Sequence, residues 1–357
     1  MKIAQVAPLF ESVPPKTYGG TERVVHYLTE ELVKAGHEVT LFAAGDSQTS
    51  AKLHPIIPTA LRNSEPARDA TASHVLEMAA LLENATKFDV VHFHTDFYQF
   101  IVNQLMRVPH LTTLHSRLDV PDYTSIFSRY PAMPVVSISN HQRHPIERAN
   151  WIDTVYNGVP AANFSFKQKN AGEYLAFVGR MSPEKNPIAA INIAIKANIP
   201  LKMAAKVDKV DQVFFDEQVK PLLEHPLIEY IGEVNEQQKN ELLGDALGLL
   251  FPIAWPEPFG LVMIEAMACG TPVIAYPQGA VPEVMEDGLT GYIVQDEAAA
   301  VAAIKILPNI SRSYCRSYFE RRFSARAMAK HYMAIYERQI VHGRACVQFS
   351  RMRRSGA

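Results

Sequence analysis

Short apolar runs alternate with amphipathic stretches along most of this chain. The runs in its first part are Lys2–Val6, Val39–Phe42, Val90–Phe93, Leu111–Leu114 and Val135–Ser137. Between the first two runs, apolar residues at helical spacing extend from Val24 to Val33 and end before Gly36, a residue type favoured just after helices. Uniformly apolar runs joined by helices are typical of parallel strands buried on both faces. The pattern therefore predicts an α/β fold.

The same pattern starts again after a polar, aperiodic stretch at 160–172. The predicted strands there are Leu175–Val178, Leu201–Ala205, Ile228–Ile231, Leu249–Phe251, Val273–Ala275 and Gly291–Val294. The predicted helices are Pro187–Ala197, Gln237–Ala246 and Gly260–Cys269, and a last amphipathic helix spans Met328–Ile340. A chain of 357 residues is also too long for one core. We predict two Rossmann-like domains, residues 1–160 and 173–311, that face each other across a cleft, followed by a helical segment at 312–357.

The composition is that of a globular protein. Hydrophobic residues make up 48% of the sequence and charged residues 20%. No apolar run approaches the roughly 18 residues that cross a bilayer. The cysteines, Cys269, Cys315 and Cys346, form no C-x-x-C pair, which argues against a disulfide framework or a zinc site. These features predict a cytoplasmic protein.

Positive charge is concentrated at the end of the chain. Residues 312–357 contain eleven Lys or Arg against two Glu, a net charge of +9, which leaves −11 for the first 311 residues. A solvated helix face is the simpler interpretation, and the alternative is a weak peripheral contact with an anionic membrane. Nucleic-acid binding is not expected, because neither an aromatic-interleaved basic platform nor a helix-turn-helix pattern accompanies the charge.

Gly19 and Gly20 follow a long loop after the first strand and immediately precede a predicted helix. The glycine fingerprint of dinucleotide-binding folds lies closer to the strand and is absent, which disfavours an NAD-dependent oxidoreductase. Backbone N–H groups at a helix N-terminus suit an anion. A simple chain reversal is the alternative interpretation.

Arg180 and Lys185 follow the first strand of the second predicted domain. Ligands of open α/β sheets bind at the carboxyl ends of the strands, where both cations are expected. Together they suit a diphosphate that gains charge as it leaves. A solvated loop with an Arg–Glu surface pair is the alternative.

The segment from Trp255 to Ala275 indicates a strand, a loop, a helix, a turn and another strand. Gly260 and Leu261 are expected at the helix N-terminus, with N–H groups open to a phosphate. Glu265 lies about one turn further on and points back toward the same ligand. Two carboxylates near a phosphate are intelligible if each accepts hydrogen bonds from sugar hydroxyls, Glu265 from a ribose and Glu257 from a transferred sugar.

Glu257 and Glu265 stand within E-P-F-G-L-V-M-I-E-A-M-A-C-G-T-P-V-I-A, which resembles the paired-glutamate motif of family 4 retaining glycosyltransferases of the GT-B fold. The resemblance extends over most of the chain. Further matching segments are Y-G-G-T-E-R-V-V near Gly19, S-I-S near Ser137, Y-N-G-V near Asn157, F-V-G-R-M-S-P-E-K-N near Arg180 and P-E-V-M-E-D-G-L-T-G-Y-I-V after Val281. It implies a retaining hexosyltransferase whose last helix crosses back onto the N-terminal domain.

The resemblance implies two sets of site residues. The catalytic set is Glu257, His115, Arg180 and Lys185. The donor-binding set is Gly19, Gly20, Ile231, Phe259, Gly260, Leu261 and Glu265. In the family pattern His115 lies beside the donor sugar, and Ile231 lies where the backbone meets the base. The chain departs from the pattern at Ala204-Ala205-Lys206 and at Ser324-Ala325, where relatives often have a glycine turn and Ser-Trp.

No Asp-x-Asp occurs in the sequence, so transfer without a metal or other cofactor is expected. A metal site made by His92, His94 and His115 is a weaker alternative. The acceptor is a carbohydrate, a lipid-linked molecule or a small molecule, with Tyr98 and Arg117 as candidate contacts. The rival functions are a nucleotide-sugar epimerase of the same fold and a noncatalytic nucleotide-sugar binding protein.

Overall fold

In the computed structural model, the chain forms two units. The structure describes residues 1–16, 19–104, 106–169 and 172–355, and side chains among these as far as residue 343. The first unit comprises residues 1–138, 143–158 and the chain from Ala325, and the second comprises residues 139–142 and 159–324.

The first unit is built on a parallel sheet with strand order β3-β2-β1-β4-β5-β6-β7. Its strands are β1 (Lys2–Val6), β2 (Glu38–Ala43), β3 (Lys52–Pro55), β4 (Val90–Phe93), β5 (His110–Thr113), β6 (Val135–Ser137) and β7 (Trp151–Thr154). Its helices before residue 158 are α1 (Gly20–Lys34), α2 (Ala70–Asn84), α3 (Phe100–Asn103) and α4 (Pro121–Arg129). The five predicted strands are present. The sequence did not indicate the edge strands β3 and β7, since their half-exposed positions require no apolar run.

The second unit is built on a parallel sheet with strand order β10-β9-β8-β11-β12-β13. Its strands are β8 (Leu175–Arg180), β9 (Leu201–Lys206), β10 (Ile228–Gly232), β11 (Gly248–Phe251), β12 (Val273–Ala275) and β13 (Gly291–Ile293). Its helices are α5 (Pro187–Ala197), α6 (Gln212–Phe214), α7 (Glu236–Asp245), α8 (Leu261–Ala268), α9 (Val281–Val284), α10 (Glu297–Ile306) and α11 (Arg312–Arg322). All six predicted strands are present, within two residues at either end.

The last helix, α12 (Ala325–Ser355), belongs to the first unit. It lies against α1 and β4. Tyr332, Ile335 and Tyr336 are at most 1% exposed. The helix therefore contributes two polar hydroxyl groups to the core of this unit.

Two short segments lie in a different unit from the one that the sequence predicted. Residues 139–142 belong to the second unit, where the Glu283 carboxylate accepts hydrogen bonds from the N–H groups of Asn140 and His141, each at 2.7 Å. Residues 312–324 also belong there rather than to a closing segment. Arg312 and Arg316 donate to backbone carbonyls of that unit, including Gly244 at 2.7 Å and Ala268 at 2.7 Å. Part of the basic charge is therefore structural.

No helix among the described residues is long and apolar enough to cross a membrane. Four of the eleven basic residues behind the predicted membrane contact, Arg344, Arg351, Arg353 and Arg354, have side chains outside those that the structure describes.

Candidate functional site

Arg180 ends strand β8, at the carboxyl edge of the second sheet. Its Nη1 lies 3.5 Å from Asp208, and Lys206 lies 3.0 Å from the same carboxylate. Burial acts to raise the pKa of Asp208, but the two cations outweigh it and the pKa is lowered. Arg180 Nε is buried and has no hydrogen-bond partner among the described residues. Two cations thus share one carboxylate here, and Arg180 also interacts electrostatically with Glu184 and Asp211.

Lys185 lies in the short turn before α5 and forms a salt bridge with Glu257. Both side chains are largely buried, at 15% and 11% exposure. Trp255 Nε1 donates to the same carboxylate at 3.0 Å, and Lys185 Nζ lies 5.7 Å from the centre of the Trp255 ring. The structure therefore brings together two of the predicted catalytic residues.

The backbone around Glu257 and the start of α8 depends on two glycines. Gly279 has a φ of +61°, and a Cβ there would lie 2.2 Å from the Glu257 carbonyl oxygen. Gly260 has a φ of +82° and precedes α8 without a side-chain cap. Phe259 is buried beneath this turn, and Leu261 is the first helical residue. Among the described residues, the N-cap position before α8 therefore supplies no side chain to cap its first N–H groups.

Glu265 lies one turn into α8 and is 3% exposed. Its Oε1 is 2.6 Å from Nζ of Lys239, a buried residue of α7. Sequence reasoning missed Lys239, because nothing local to it distinguishes it from a surface lysine of a polar helix. Ile231 is 37% exposed and is the extra residue where the register of β10 shifts between Tyr230 and Gly232.

Gly19 and Gly20 lie at the N-terminus of α1 in the first unit. A Cβ on Gly19 would lie 2.7 Å from Pro15 Cβ and 3.1 Å from a Glu22 oxygen, so Glu22 folds back over this turn. Burial raises the pKa of Glu22 to about 7. An anion bound at this turn would therefore meet a carboxyl group that is partly protonated near neutral pH.

His115 follows β5, and its Nε2 lies 2.8 Å from Nδ1 of His94. Burial lowers the pKa of His115 to about 3, so the ring is neutral. Tyr98 is 41% exposed and stacks on His74 with ring centres 4.5 Å apart. Arg117 donates twice to Asp119, at 2.6 and 2.7 Å. Of the two acceptor candidates, Tyr98 thus presents a ring face, whereas Arg117 is engaged by a carboxylate.

Asp96 is a further candidate that the sequence did not indicate. It follows β4 with a left-handed φ of +51°, which is unusual for a residue with a side chain. Burial raises the pKa of its carboxyl group to about 6, although a 3.4 Å hydrogen bond from Ser116 opposes this. A strained, poorly solvated carboxyl group between His94 and Tyr98 in the chain suits recognition of a hydroxyl group.

Within the parts of the chain that the structure describes, no group of three or more His, Cys, Asp or Glu side chains is arranged to hold a metal ion. Both ring nitrogens of His92 lie within 2.7 Å of hydroxyl groups, those of Tyr336 and Thr113. His92 is therefore a hydrogen-bonded core residue.

Two family models match the chain, one in each half. Residues 18–162 match the model described as Glycosyltransferase Family 4, and residues 161–319 match the one described as Glycosyl transferases group 1. Together they cover the segments that hold both sets of candidate residues.

Relatives and solved structures agree with these matches. The phosphatidyl-myo-inositol mannosyltransferase of Mycolicibacterium smegmatis is 26% identical over an alignment of 332 residues that covers 86% of this chain and 84% of that protein. Sucrose-phosphate synthase from Thermosynechococcus elongatus has the same fold, with a TM-score of 0.76 and 20% identity over 96% of this chain and 100% of that one. HepE of Anabaena, in complex with UDP and glucose, superimposes with a TM-score of 0.73 and 18% identity over 94% of this chain and 99% of that one.

Proposed function

Since this chain belongs to the family 4 glycosyltransferases of the GT-B type, we propose that it moves a hexose from a nucleoside diphosphate sugar to an acceptor hydroxyl. In this proposal the anomeric configuration is retained and no metal is needed. The observation that carries it is the buried Lys185–Glu257 pair beside the uncapped N-terminus of α8.

Donor binding would exchange the partners of this pair. The diphosphate takes Lys185, and Glu257 is released to accept hydrogen bonds from hydroxyls of the transferred sugar. Without donor, each residue neutralises the other, so neither charge is left uncompensated in a largely buried place. The pair thus prepares a cation and an acceptor that one ligand uses together.

Charge that develops on the leaving diphosphate would be met by fixed positive groups. These are Arg180, Lys185 and the N–H groups at Gly260 and Leu261. The leaving phosphate can accept the proton of the acceptor hydroxyl on the same face of the sugar, which gives retention. Such a reaction requires no carboxylate nucleophile and no bridging cation.

The remaining donor contacts are proposed from where each candidate residue lies within its own unit. Glu265, held by Lys239, would accept from the ribose hydroxyls. Ile231 lies at an irregularity of β10, where backbone groups are available to a base. Gly19 and Gly20 would add N–H groups of α1 to the diphosphate.

Residues of the first unit would serve the sugar and the acceptor. His115 is proposed beside the transferred sugar. The exposed ring of Tyr98 suits the apolar face of a carbohydrate or polyol acceptor, and Asp96 suits its hydroxyls. Arg117 serves as an acceptor contact only if Asp119 releases it.

The function is tested by a screen of nucleotide sugars in the presence of EDTA, beginning with UDP-glucose because the Anabaena neighbour holds UDP and glucose. A true donor at a hundred times its Kd adds about 2.7 kcal/mol to the free energy of unfolding. Transfer to an acceptor should continue at an undiminished rate in EDTA, since protein cations stabilise the leaving group. Activity that EDTA abolishes and magnesium or manganese restores would contradict the metal-free mechanism. Conversion of the donor to an epimer without an acceptor would contradict glycosyl transfer.

A further inference from the structure

The first unit contains a chain of hydrogen-bonded side chains that ends at His115. His115 Nε2 lies 2.8 Å from His94 Nδ1, and His94 Nε2 lies 2.8 Å from Gln5 Oε1. Gln5 Nε2 donates to the Tyr336 hydroxyl at 2.9 Å. The chain of contacts therefore connects the loop after β5, through β4 and β1, to helix α12.

Beyond Tyr336 the series of hydrogen-bonded side chains continues through buried groups. The Tyr336 hydroxyl lies 2.7 Å from His92 Nδ1, and His92 Nε2 lies 2.7 Å from Thr113 Oγ1. Thr113 Oγ1 is 2.8 Å from the Tyr332 hydroxyl. His92 and both tyrosines are at most 1% exposed, whereas His115 is partly exposed. The polar chain thus leads out of the core at His115.

Gln5 determines which nitrogen of each ring carries the proton. An amide oxygen accepts but cannot donate, so the proton of His94 is on Nε2, and its Nδ1 is an acceptor. His115 Nε2 must then be the donor to His94. Since burial keeps His115 neutral by lowering its pKa to about 3, its Nδ1 is the unprotonated nitrogen. At the outer end of this series of hydrogen bonds, Nδ1 of His115 is therefore a hydrogen-bond acceptor.

The close spacing of the rings also disfavours positive charge. The ring centres of His92 and His94 are 4.0 Å apart, and those of His94 and His115 are 5.1 Å apart. Burial lowers the pKa of His94 first, and the neighbouring rings lower it further. A neutral acceptor suits a sugar that becomes positively charged as its bond to phosphate breaks, whereas an imidazolium would oppose that charge.

We propose that Gln5 and His94, anchored by Tyr336, are positioning residues that hold His115 as the neutral Nε2–H tautomer, with Nδ1 accepting a hydrogen bond from a hydroxyl of the transferred sugar. The inference rests on the proposed function, which puts that sugar beside His115. A buried polar chain in which every member is satisfied fixes one orientation of its terminal group, as apolar packing would not.

The tautomer is measured by heteronuclear NMR of the full chain with isotope-labelled histidines, and the His115 signals are assigned with His115→Gln. We expect wild-type His115 to carry its proton on Nε2. In His94→Leu the acceptor for that proton is lost, so both tautomers should be populated. His94→Asn restores an oxygen near the position of Nδ1 and should restore the single tautomer.

Kinetics separate positioning from general stability. With the donor found by the screen, His94→Leu should lower kcat about tenfold or more, while its affinity for the bare nucleoside diphosphate stays unchanged. Two less disruptive variants, both in α12, each remove a single hydroxyl oxygen. Tyr336→Phe releases the Gln5 amide and should lower kcat by roughly three- to tenfold. Tyr332→Phe removes a hydroxyl that lies 2.8 Å from Thr113 and is not on the path from Tyr336 through Gln5 and His94 to His115, and it keeps the ring beside His92, so its kcat should stay within about twofold of wild type.

An Nδ1–H tautomer in wild-type His115 would overturn the proposal. Equal kcat values for Tyr336→Phe and Tyr332→Phe would also overturn it. Failure of the proposed function would be seen elsewhere, as a wild-type protein that binds no nucleoside diphosphate. That measurement does not involve the hydrogen-bonded chain.

Discussion

Replacement of Arg180 or Lys185 by alanine is expected to lower kcat by about a hundredfold or more. Both side chains lie where the leaving diphosphate is proposed, and the removal of one preorganised group that stabilises transition-state charge typically costs two to three orders of magnitude, about 2.7 to 4 kcal/mol. The effect should fall on kcat more than on KM, since the charge of the diphosphate grows in the transition state. Steady-state kinetics with the donor found by the screen measure it.

Stability must be measured beside the kinetics, because the two cations differ in their partners. Arg180 shares Asp208 with Lys206, so Arg180→Ala leaves that carboxylate paired. Lys185→Ala leaves the Glu257 carboxylate with Trp255, and a lower unfolding temperature is expected. Lys196→Ala, which removes an exposed partner of Glu297, is the matched control and should keep full activity. Near-normal turnover of both Arg180→Ala and Lys185→Ala would mean that these two cations do not stabilise the leaving group.

Lys239→Met is expected to destabilise the protein by about 3 to 5 kcal/mol. Lys239 and Glu265 are 9% and 4% exposed, and their charged atoms are 2.6 Å apart. Methionine keeps the apolar stem of the lysine but leaves the Glu265 carboxylate buried without its cation, and loss of one partner of a buried ion pair typically costs this much. Denaturant unfolding gives the difference.

The control for this substitution is Lys220→Met. Lys220 is 68% exposed and lies 3.9 Å from Asp216, so its pair should contribute less than about 1 kcal/mol. The double variant Lys239→Met/Glu265→Gln should recover much of the loss, because the amide removes the uncompensated charge. An equal, small effect of Lys239→Met and Lys220→Met would mean that the Glu265 carboxylate does not depend on its cation.

The predictable part of the fold is the part in which local sequence and burial agree. The central strands, such as β1, β8 and β11, are buried on both faces and read as apolar runs. The edge strands β3 and β7 lack such runs. The grouping of α11 with the second unit depends on Arg312 and Arg316 donating to distant carbonyls, which no local pattern shows. The unit to which a short segment such as α11 belongs is thus set by long-range hydrogen bonds.

The candidate site likewise has a part that local sequence predicts and a part that it does not. Glycine-bounded turns and residue spacing predicted a helix that begins at Gly260 and carries Glu265, and in the structure Gly260 is the residue just before α8 and Glu265 lies within it. What spacing could not predict are the partners that come from elsewhere in the chain. Lys239 meets Glu265 across 26 positions, Gln5 meets His94 across 89, and Asp96 acquires its left-handed backbone from the turn after β4. Each of these requires the fold before it can be seen.

The central claim is that one nucleoside diphosphate sugar lies on the second unit with its ribose at Glu265 and its transferred sugar at Glu257. Calorimetric titration of the bare nucleoside diphosphate into Glu257→Gln and Glu265→Gln tests it directly, because this ligand has the ribose but not the transferred sugar. Glu265→Gln should lose about 1 to 3 kcal/mol of binding free energy, and Glu257→Gln should bind like wild type while losing kcat. Wild-type nucleotide affinity in both variants would contradict the ribose assignment, and a loss in Glu257→Gln alone would reverse the proposed orientation of the donor.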